Sequence, residues 1–178
     1  EGRLRHYARE FPLVEVDGET VSSTRIRGLV AAGDVEHAMH CLGAPFMLEG
    51  EVVSGDRRGR ELGFPTANLV PDDSLVVPGH GVYAAFANGH PAAVNVGVRP
   101  TFETGRGLLV ESYLIDFDAD LYGQNLRVAF VERLRGEKRF PSAEGHRTDL
   151  HDDLVQQVCI MELSDEIATT HDPEVLVA

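Results

Sequence analysis

The residue types and spacings most capable of chemistry lie in the stretch 59–68, Gly-Arg-Glu-Leu-Gly-Phe-Pro-Thr-Ala-Asn. Pro65 fixes the backbone just before Thr66, and Thr66 and Asn68 sit either side of the small Ala67. In an extended strand, residues two apart face the same side, so a hydroxyl and an amide oxygen converge there. Two neutral oxygens at that spacing can hold a hard cation such as Mg²⁺, leaving positions for water and phosphate oxygens. Gly55, Gly59 and Gly63 allow backbone N–H groups close to a phosphate, and Arg57, Arg58 and Arg60 add positive charge nearby. The alternative reading is structural: a hairpin loop with a Pro turn, whose Thr and Asn cap their own backbone.

Glu111 is the second candidate. It interrupts the apolar run 108–115, Leu-Leu-Val-Glu-Ser-Tyr-Leu-Ile. A carboxylate at such a position either faces solvent or lies in a pocket, where it suits a general base taking a proton from an alcohol. The third is the stretch 95–102, in which Gly97 permits close approach of a flat ligand while Arg99 and Thr101 offer donors beside Phe102. Its plainer reading is a strand end entering a Pro turn. Asp116, Asp118 and Asp120 imitate the start of a calcium loop, but Leu121 replaces the required Gly and Arg127 the closing acid, which leaves a solvated strand end. The eight histidines show no ligand spacing and read as surface or turn residues.

These candidates need a scaffold to bring them together. Up to residue 43 the pattern is helical. Ser22, Ser23 and Thr24 precede Ile26, Leu29 and Val30 on one face, and Gly33 ends that segment. Asp34 then caps a second helix over 35–41, with Val35, Ala38, Met39 and Leu42 expected inward and Gly43 as the stop. From 46 to 132 the period changes to two. Strands are expected at 47–53, 82–86, 92–98, 108–117 and 126–131, with turns at Asn88-Gly89, Arg99-Pro100, 105–107 and Tyr122-Gly123. No helix of crossover length fits between them, which excludes a parallel sheet and leaves an antiparallel barrel or sandwich. A small closed barrel disposes of the free edges most economically. After Phe140 a helix is expected, capped by Ser142 and striped by Leu150, Leu154, Val155, Val158 and Met161, with an acidic tail from 164.

Composition narrows the function. The 178 residues hold 29 acidic against 16 basic side chains, a net charge of −13, so binding nucleic acid through bulk charge is disfavoured. Fifteen of the basic residues are Arg and only Lys138 is Lys, so no Lys follows a Gly-rich turn to make a Walker-type phosphate loop. Cys41 and Cys159 are isolated and read as reduced, cytoplasmic-type thiols. No apolar run is long enough for a membrane helix. The chain begins at Glu1 without a leader, and a piece of something longer is expected.

Taken in order, the blocks at 63–68 and 81–84 (Gly-Val-Tyr-Ala), 95–102, Glu111-Ser112, 120–123 (Asp-Leu-Tyr-Gly) and 134–140 (Leu-Arg-Gly-Glu-Lys-Arg-Phe) resemble the riboflavin kinase family. The likeness runs over about 44–160. The stretch 21–27, Val-Ser-Ser-Thr-Arg-Ile-Arg, is similar to the closing motif of the FMN adenylyltransferase module that bacteria fuse ahead of this kinase. The resemblance implies a mainly β fold, a six-stranded antiparallel Greek-key barrel with a C-terminal helix. It implies three segments: an adenylyltransferase remnant at 1–43, the barrel at 44–140, and a helix with tail at 141–178. It further implies transfer of the ATP γ-phosphate to the riboflavin 5′-hydroxyl, giving FMN.

In that scheme Glu111 is the base and Thr66 and Asn68 hold Mg²⁺. Gly55, Arg58, Arg60, Gly63 and Pro65, together with Thr66 and Asn68, bind the nucleotide, with the 55–60 loop as a flap. Asn95, Gly97, Arg99, Thr101 and Arg135 border the flavin. Ala143 and His146 stand where the family usually has Leu, beside Gly145. The expected partners are riboflavin and ATP, with no nucleic acid or membrane. A second copy, or the parent adenylyltransferase module, is expected against the amphipathic segment 31–42. FMN adenylyltransfer is not expected from this chain alone. Other classes consistent with the same residues are a flavin-binding barrel without turnover and an interaction domain.

Overall fold

A computed structural model describes residues 12–53, 66–72, 74–98 and 107–136. The expected helix after Phe140, the 55–60 loop and Gly63, Pro65, Arg99 and Thr101 lie outside the described residues.

Helix α1, Ser23–Ala32, starts where Ser22 accepts a hydrogen bond from the Arg25 N–H and stops at Gly33, whose φ of 83° suits a residue without a Cβ. Asp34 caps α2, Val35–Leu42, by accepting from the His37 N–H, and Gly43 ends it at φ 73°. Both helices therefore form where the capping residues predict. Ahead of them, β1 (Glu15–Val16) and β2 (Glu19–Thr20) make a small hairpin absent from the sequence expectation. Its signal was present: Asp17-Gly18 takes φ values of 56° and 76°, the left-handed pair that a two-residue hairpin turn requires.

Six antiparallel strands then close a barrel in the order β3-β4-β7-β6-β5-β8. They are β3 Phe46–Val53, β4 Thr66–Leu69, β5 Gly81–Ala87, β6 His90–Val98, β7 Leu108–Leu114 and β8 Asn125–Arg135. β5, β6 and β7 form a meander, while β4 lies beside β7 and β8 beside β5, which is a Greek-key path. Asn88-Gly89, with φ 48° and 83°, makes the expected tight turn between β5 and β6. β7 ends at Leu114 instead of residue 117, because Asp116 turns the chain through φ 51°. β8 runs four residues past the expected end, and two register shifts against β5 let it bend round the barrel.

The interior follows the two-residue alternation. Leu48, Val52, Ala67, Leu69, Ala85, Val94, Val96, Val110, Leu126 and Val128 pack together around Tyr83 and Phe130, whose rings meet edge to face at 5.4 Å. Val35 of α2 belongs to the same cluster. The helices therefore rest on the barrel, with Val35 and Ala38 of α2 buried. Leu42, expected inward, is exposed at the last turn of α2, beyond the edge of that contact, and Met39 is half-buried.

Four hydrogen bonds bolt the helices down. The Tyr83 hydroxyl donates to the Gly79 carbonyl, and the Gly79 N–H donates to Val30 O at 3.1 Å. Arg133 donates to His80 O at 2.5 Å and reaches Ala32 O at 3.5 Å. Burial holds the Tyr83 phenol above its ordinary pKa, so it stays a donor.

A Cβ at Gly81 would stand 2.6 Å from the Arg135 carbonyl oxygen and 2.9 Å from Arg133 Nε. Gly81→Ala is therefore expected to lower stability by about 1–3 kcal/mol, read from chemical denaturation. The exposed ion pair of His37 with Asp34, at 2.8 Å, raises the imidazole above 6.5, chiefly through the hydrogen bond to Asp34 and then its charge. A raised folded-state value means that the pair stabilises fully below about pH 6.5 and loses its contribution as pH rises through the raised value. The small stability advantage of the native chain over His37→Gln is expected at pH 5.5 and expected to vanish at about pH 8.5 in paired urea titrations.

Candidate active site

The site is built by register. β4 pairs with β7 so that Asn68 opposes Glu111, and β6 pairs with β7 so that Asn95 opposes the same Glu111. Ala67, Leu69, Val94, Val96 and Val110, the neighbours of these residues along their strands, point into the core. The alternation therefore places Asn68, Glu111 and Asn95 in one row on the outer face of the barrel. Directly opposed side chains in such a ladder have Cβ atoms about 5 Å apart. Thr66 lies two residues from Asn68 on the same face, opposite Tyr113. The row continues through Val82 of β5, opposite Asn95, to Arg135 of β8, opposite Val82. Gly97 is one outward position further along β6, opposite Leu109.

This outer face is not bare. Asn68 is only 5% exposed, and Val82 and Leu109 are buried too, while Thr66, Glu111 and Asn95 are half-buried. Glu111 thus lies neither in open solvent nor in the barrel core. It stands between two amides on neighbouring strands.

The two amides present different ends. Asn68 Nδ2 donates to the Thr66 carbonyl at 3.5 Å, and Asn68 Oδ1 is buried without a hydrogen-bond partner among the described residues. Asn95 Nδ2 donates to Glu111 Oε2 at 3.5 Å. A buried acceptor left unpaired costs about 1–3 kcal/mol, so something outside the protein's own hydrogen bonding is expected to meet it. An amide oxygen next to a carboxylate, with a Thr hydroxyl on the same strand face, is an all-oxygen donor set. That chemistry fits a hard divalent cation.

Of the residues proposed from sequence, the structure brings Thr66, Asn68, Glu111 and Asn95 together, with Gly97 near them and Arg135 at the far end of the row. Asn95, expected at the flavin, has its amide within reach of the carboxylate. Strand alternation could have put both on the outer face, but only pairing makes them opposed. Ser112, inside the barrel between Ala67 and Val94 in register, is fully buried with its Oγ unpaired among the described residues. Its place next to Glu111 is the only signal the sequence carried for it.

The fold is a closed six-stranded Greek-key barrel with an acid flanked by two amides on its outer face. A family model described as "Flavokinase: Riboflavin kinase" matches residues 42–160, and the chain belongs to the riboflavin kinase family. It is 34% identical over 166 residues to a bifunctional riboflavin kinase/FMN adenylyltransferase of Listeria monocytogenes, covering 86% of this chain and 53% of that protein. A protein of the same name from Bacillus subtilis is 40% identical over 134 residues, covering 72% of this chain and 42% of that one. The chain spans about half the length of the curated relatives it matches.

Among solved structures, one described as a macrolide-efflux protein from Streptococcus pneumoniae superposes with a TM-score of 0.69 at 33% identity, covering 96% of this chain and 55% of that one. The riboflavin kinase of Trypanosoma brucei superposes with a TM-score of 0.52 at 23% identity, covering 67% of this chain and 81% of that one, and shows the shared fold. No helix among the described residues is long and apolar enough to cross a membrane.

Replacing Asn68 with Leu removes the orphaned acceptor at nearly constant shape. In EDTA-treated protein the melting temperature of Asn68→Leu is expected to equal or exceed the native value, by up to about 1 kcal/mol of stability. A clear fall would mean that Oδ1 has a partner in the folded chain.

Proposed function

We propose that this chain is a riboflavin kinase that transfers the γ-phosphate of ATP to the 5′-hydroxyl of riboflavin, yielding FMN and ADP. The carrying observation is the register that opposes Asn68 and Glu111 on the outer barrel face. Family membership supplies the substrate class, and the row supplies a base beside an oxygen-donor set.

Glu111 takes the proton of the 5′-hydroxyl as that oxygen attacks the γ-phosphorus. The new O–P bond forms while the bond from the γ-phosphorus to the β–γ bridging oxygen breaks, and ADP departs with the electron pair. Phosphoryl transfer asks the protein mainly for alignment and for neutralisation of charge. Thr66 and Asn68 would hold Mg²⁺, which when bound draws charge from the phosphate oxygens. The expected nucleotide contacts of Gly55, Arg58, Arg60, Gly63 and Pro65 belong to the same proposal. Within it, a flap at 55–60 would shield the phosphates from water.

In this reading the flavin lies along the row toward Arg135, Gly97 would leave room for a flat ring, and the expected flavin contacts of Asn95, Arg99 and Thr101 belong to the same proposal. ATP dependence and the free thiol of Cys41 fit a cytoplasmic setting. An acidic chain is ill suited to nucleic acid, so the proposed partners are riboflavin and ATP, with an adenylyltransferase module of the kind its relatives carry.

Incubating the chain with riboflavin, ATP and Mg²⁺ is expected to give FMN, separable by chromatography; no FMN from oxidised or reduced riboflavin would refute the reading. Glu111→Gln is expected to lower kcat by about 100-fold or more with the fold intact by circular dichroism. An unchanged rate would remove Glu111 from the role of base.

A further inference from the structure

We propose that Asn88 is a site of spontaneous deamidation, gated by the hydrogen bonds that tie the β5–β6 turn to β8. Asn is among the thermolabile residues, and its neighbour decides how readily it reacts. Asn68, Asn95 and Asn125 precede Leu, Val and Leu, whereas Asn88 precedes Gly. A following residue without a side chain leaves its backbone nitrogen open to attack the Asn carboxamide. The turn is exposed, with φ of 48° at Asn88 and 83° at Gly89.

The gate is built by register. Val128 of β8 opposes Ala87, so the next rung of that ladder falls at Asn88 and Arg127. The Asn88 N–H donates to the Arg127 carbonyl at 2.9 Å, as a strand residue would. The return bond, from the Arg127 N–H, goes at 2.9 Å to the side-chain Oδ1 of Asn88. The carboxamide thus completes a rung that backbone carbonyls make elsewhere in the ladder. Nδ2 adds a longer bond to the Asn125 carbonyl at 3.4 Å. Closing a ring onto Cγ has to release the carboxamide from Arg127 and Asn125, so the reaction waits for the turn to lift from β8.

In the opened turn the Gly89 nitrogen loses its proton to solvent and attacks Asn88 Cγ. The N–Cγ bond forms, the Cγ–Nδ2 bond breaks, and ammonia leaves after taking a proton from water. Water then opens the cyclic imide at one of its two carbonyls. Cleavage between Cγ and nitrogen leaves an aspartate; cleavage at the main-chain carbonyl leaves an isoaspartate, with the chain rerouted through the former side chain. An isoaspartate cannot keep both Arg127 bonds, because the atoms that made them now belong to a longer backbone. Val82, where the site row crosses β5, is about 20 Å away along the strand, so the change falls on the sheet end and not on the row.

Peptide mapping by mass spectrometry, with isoaspartate counted by methyltransferase labelling, tests this on the whole chain in weakly alkaline buffer. In guanidinium, Asn88 is expected to lose its amide before the other Asn residues. In the folded chain the same loss is expected at the same residue, slower by about 10–100-fold. The aged folded chain, enriched in isoaspartate, is expected to melt about 2–5 °C below the fresh chain. Asn88→Asp keeps an acceptor for the Arg127 N–H, and is expected to melt within about 2 °C of the fresh chain with no mass change in that peptide. Equal rates in the folded and unfolded chains would overturn the gate. Earlier loss at another Asn, or a folded chain that keeps its Asn88 amide beyond that range, would overturn the site. An aged chain that melts like the fresh one would show that the carboxamide ties nothing to β8. If Asn88→Asp does not fold, the native chain's two rates and its melting decide alone.

Discussion

The pairing of β7 with its two neighbours is the constraint on which everything else depends. Because side chains alternate across a strand, a slip of one residue would send Glu111 into the core and Val110 outward. The buried faces of β4, β6 and β7 forbid it. The same apolar packing that holds the barrel closed therefore sets the relation between an acid on one strand and two amides on the strands beside it. The site is rigid because its alignment is a by-product of core burial, which suits a reaction in which geometry supplies much of the rate.

Rigidity of this kind coexists with local cost. Asn68 Oδ1 is buried without a hydrogen-bond partner among the described residues, and Ser112 Oγ, on the opposite face of the same sheet region, is too. An apolar pair at these positions would pack without that penalty. For Asn68 the proposed cation would give that cost a reason, since an acceptor already satisfied by the protein could not serve it. For Ser112 the described structure offers no such reason.

The helical segment ahead of the barrel is part of the same body. Val35 enters the core cluster, Arg133 reaches from β8 to the end of α1, and Gly33 leaves space for the Tyr83 hydroxyl, which would otherwise meet a Cβ at 2.7 Å. Tyr83 is thus shared, its ring inside the barrel against Phe130 and its hydroxyl in the seam beneath the helices. Arg133 lies on β8 two residues before Arg135, at the end of the site row. The seam and the row are consequently carried by one strand, so the helices bear on the strand that ends the site.

What could be read from the residues alone was local. The caps at Ser22 and Asp34, the stops at Gly33 and Gly43 and the turn at Asn88-Gly89 follow from backbone and hydrogen-bond preferences that act over a few residues. Alternation foretold most strands, and ordered blocks of residues resembled a family and so named Thr66, Asn68 and Glu111. Other features needed the closed sheet. The hairpin at 15–20 escaped notice because two-residue strands carry too little pattern to stand out. The exposure of Leu42 depended on where the barrel surface ends, and the extra length of β8 on bulges that appear only against β5. Above all, the contact of Asn95 with Glu111 joins residues 16 apart in the chain and was decided by strand pairing. Periodicity tells which face a side chain takes, whereas its neighbours across the strands are chosen by the packing of the whole barrel.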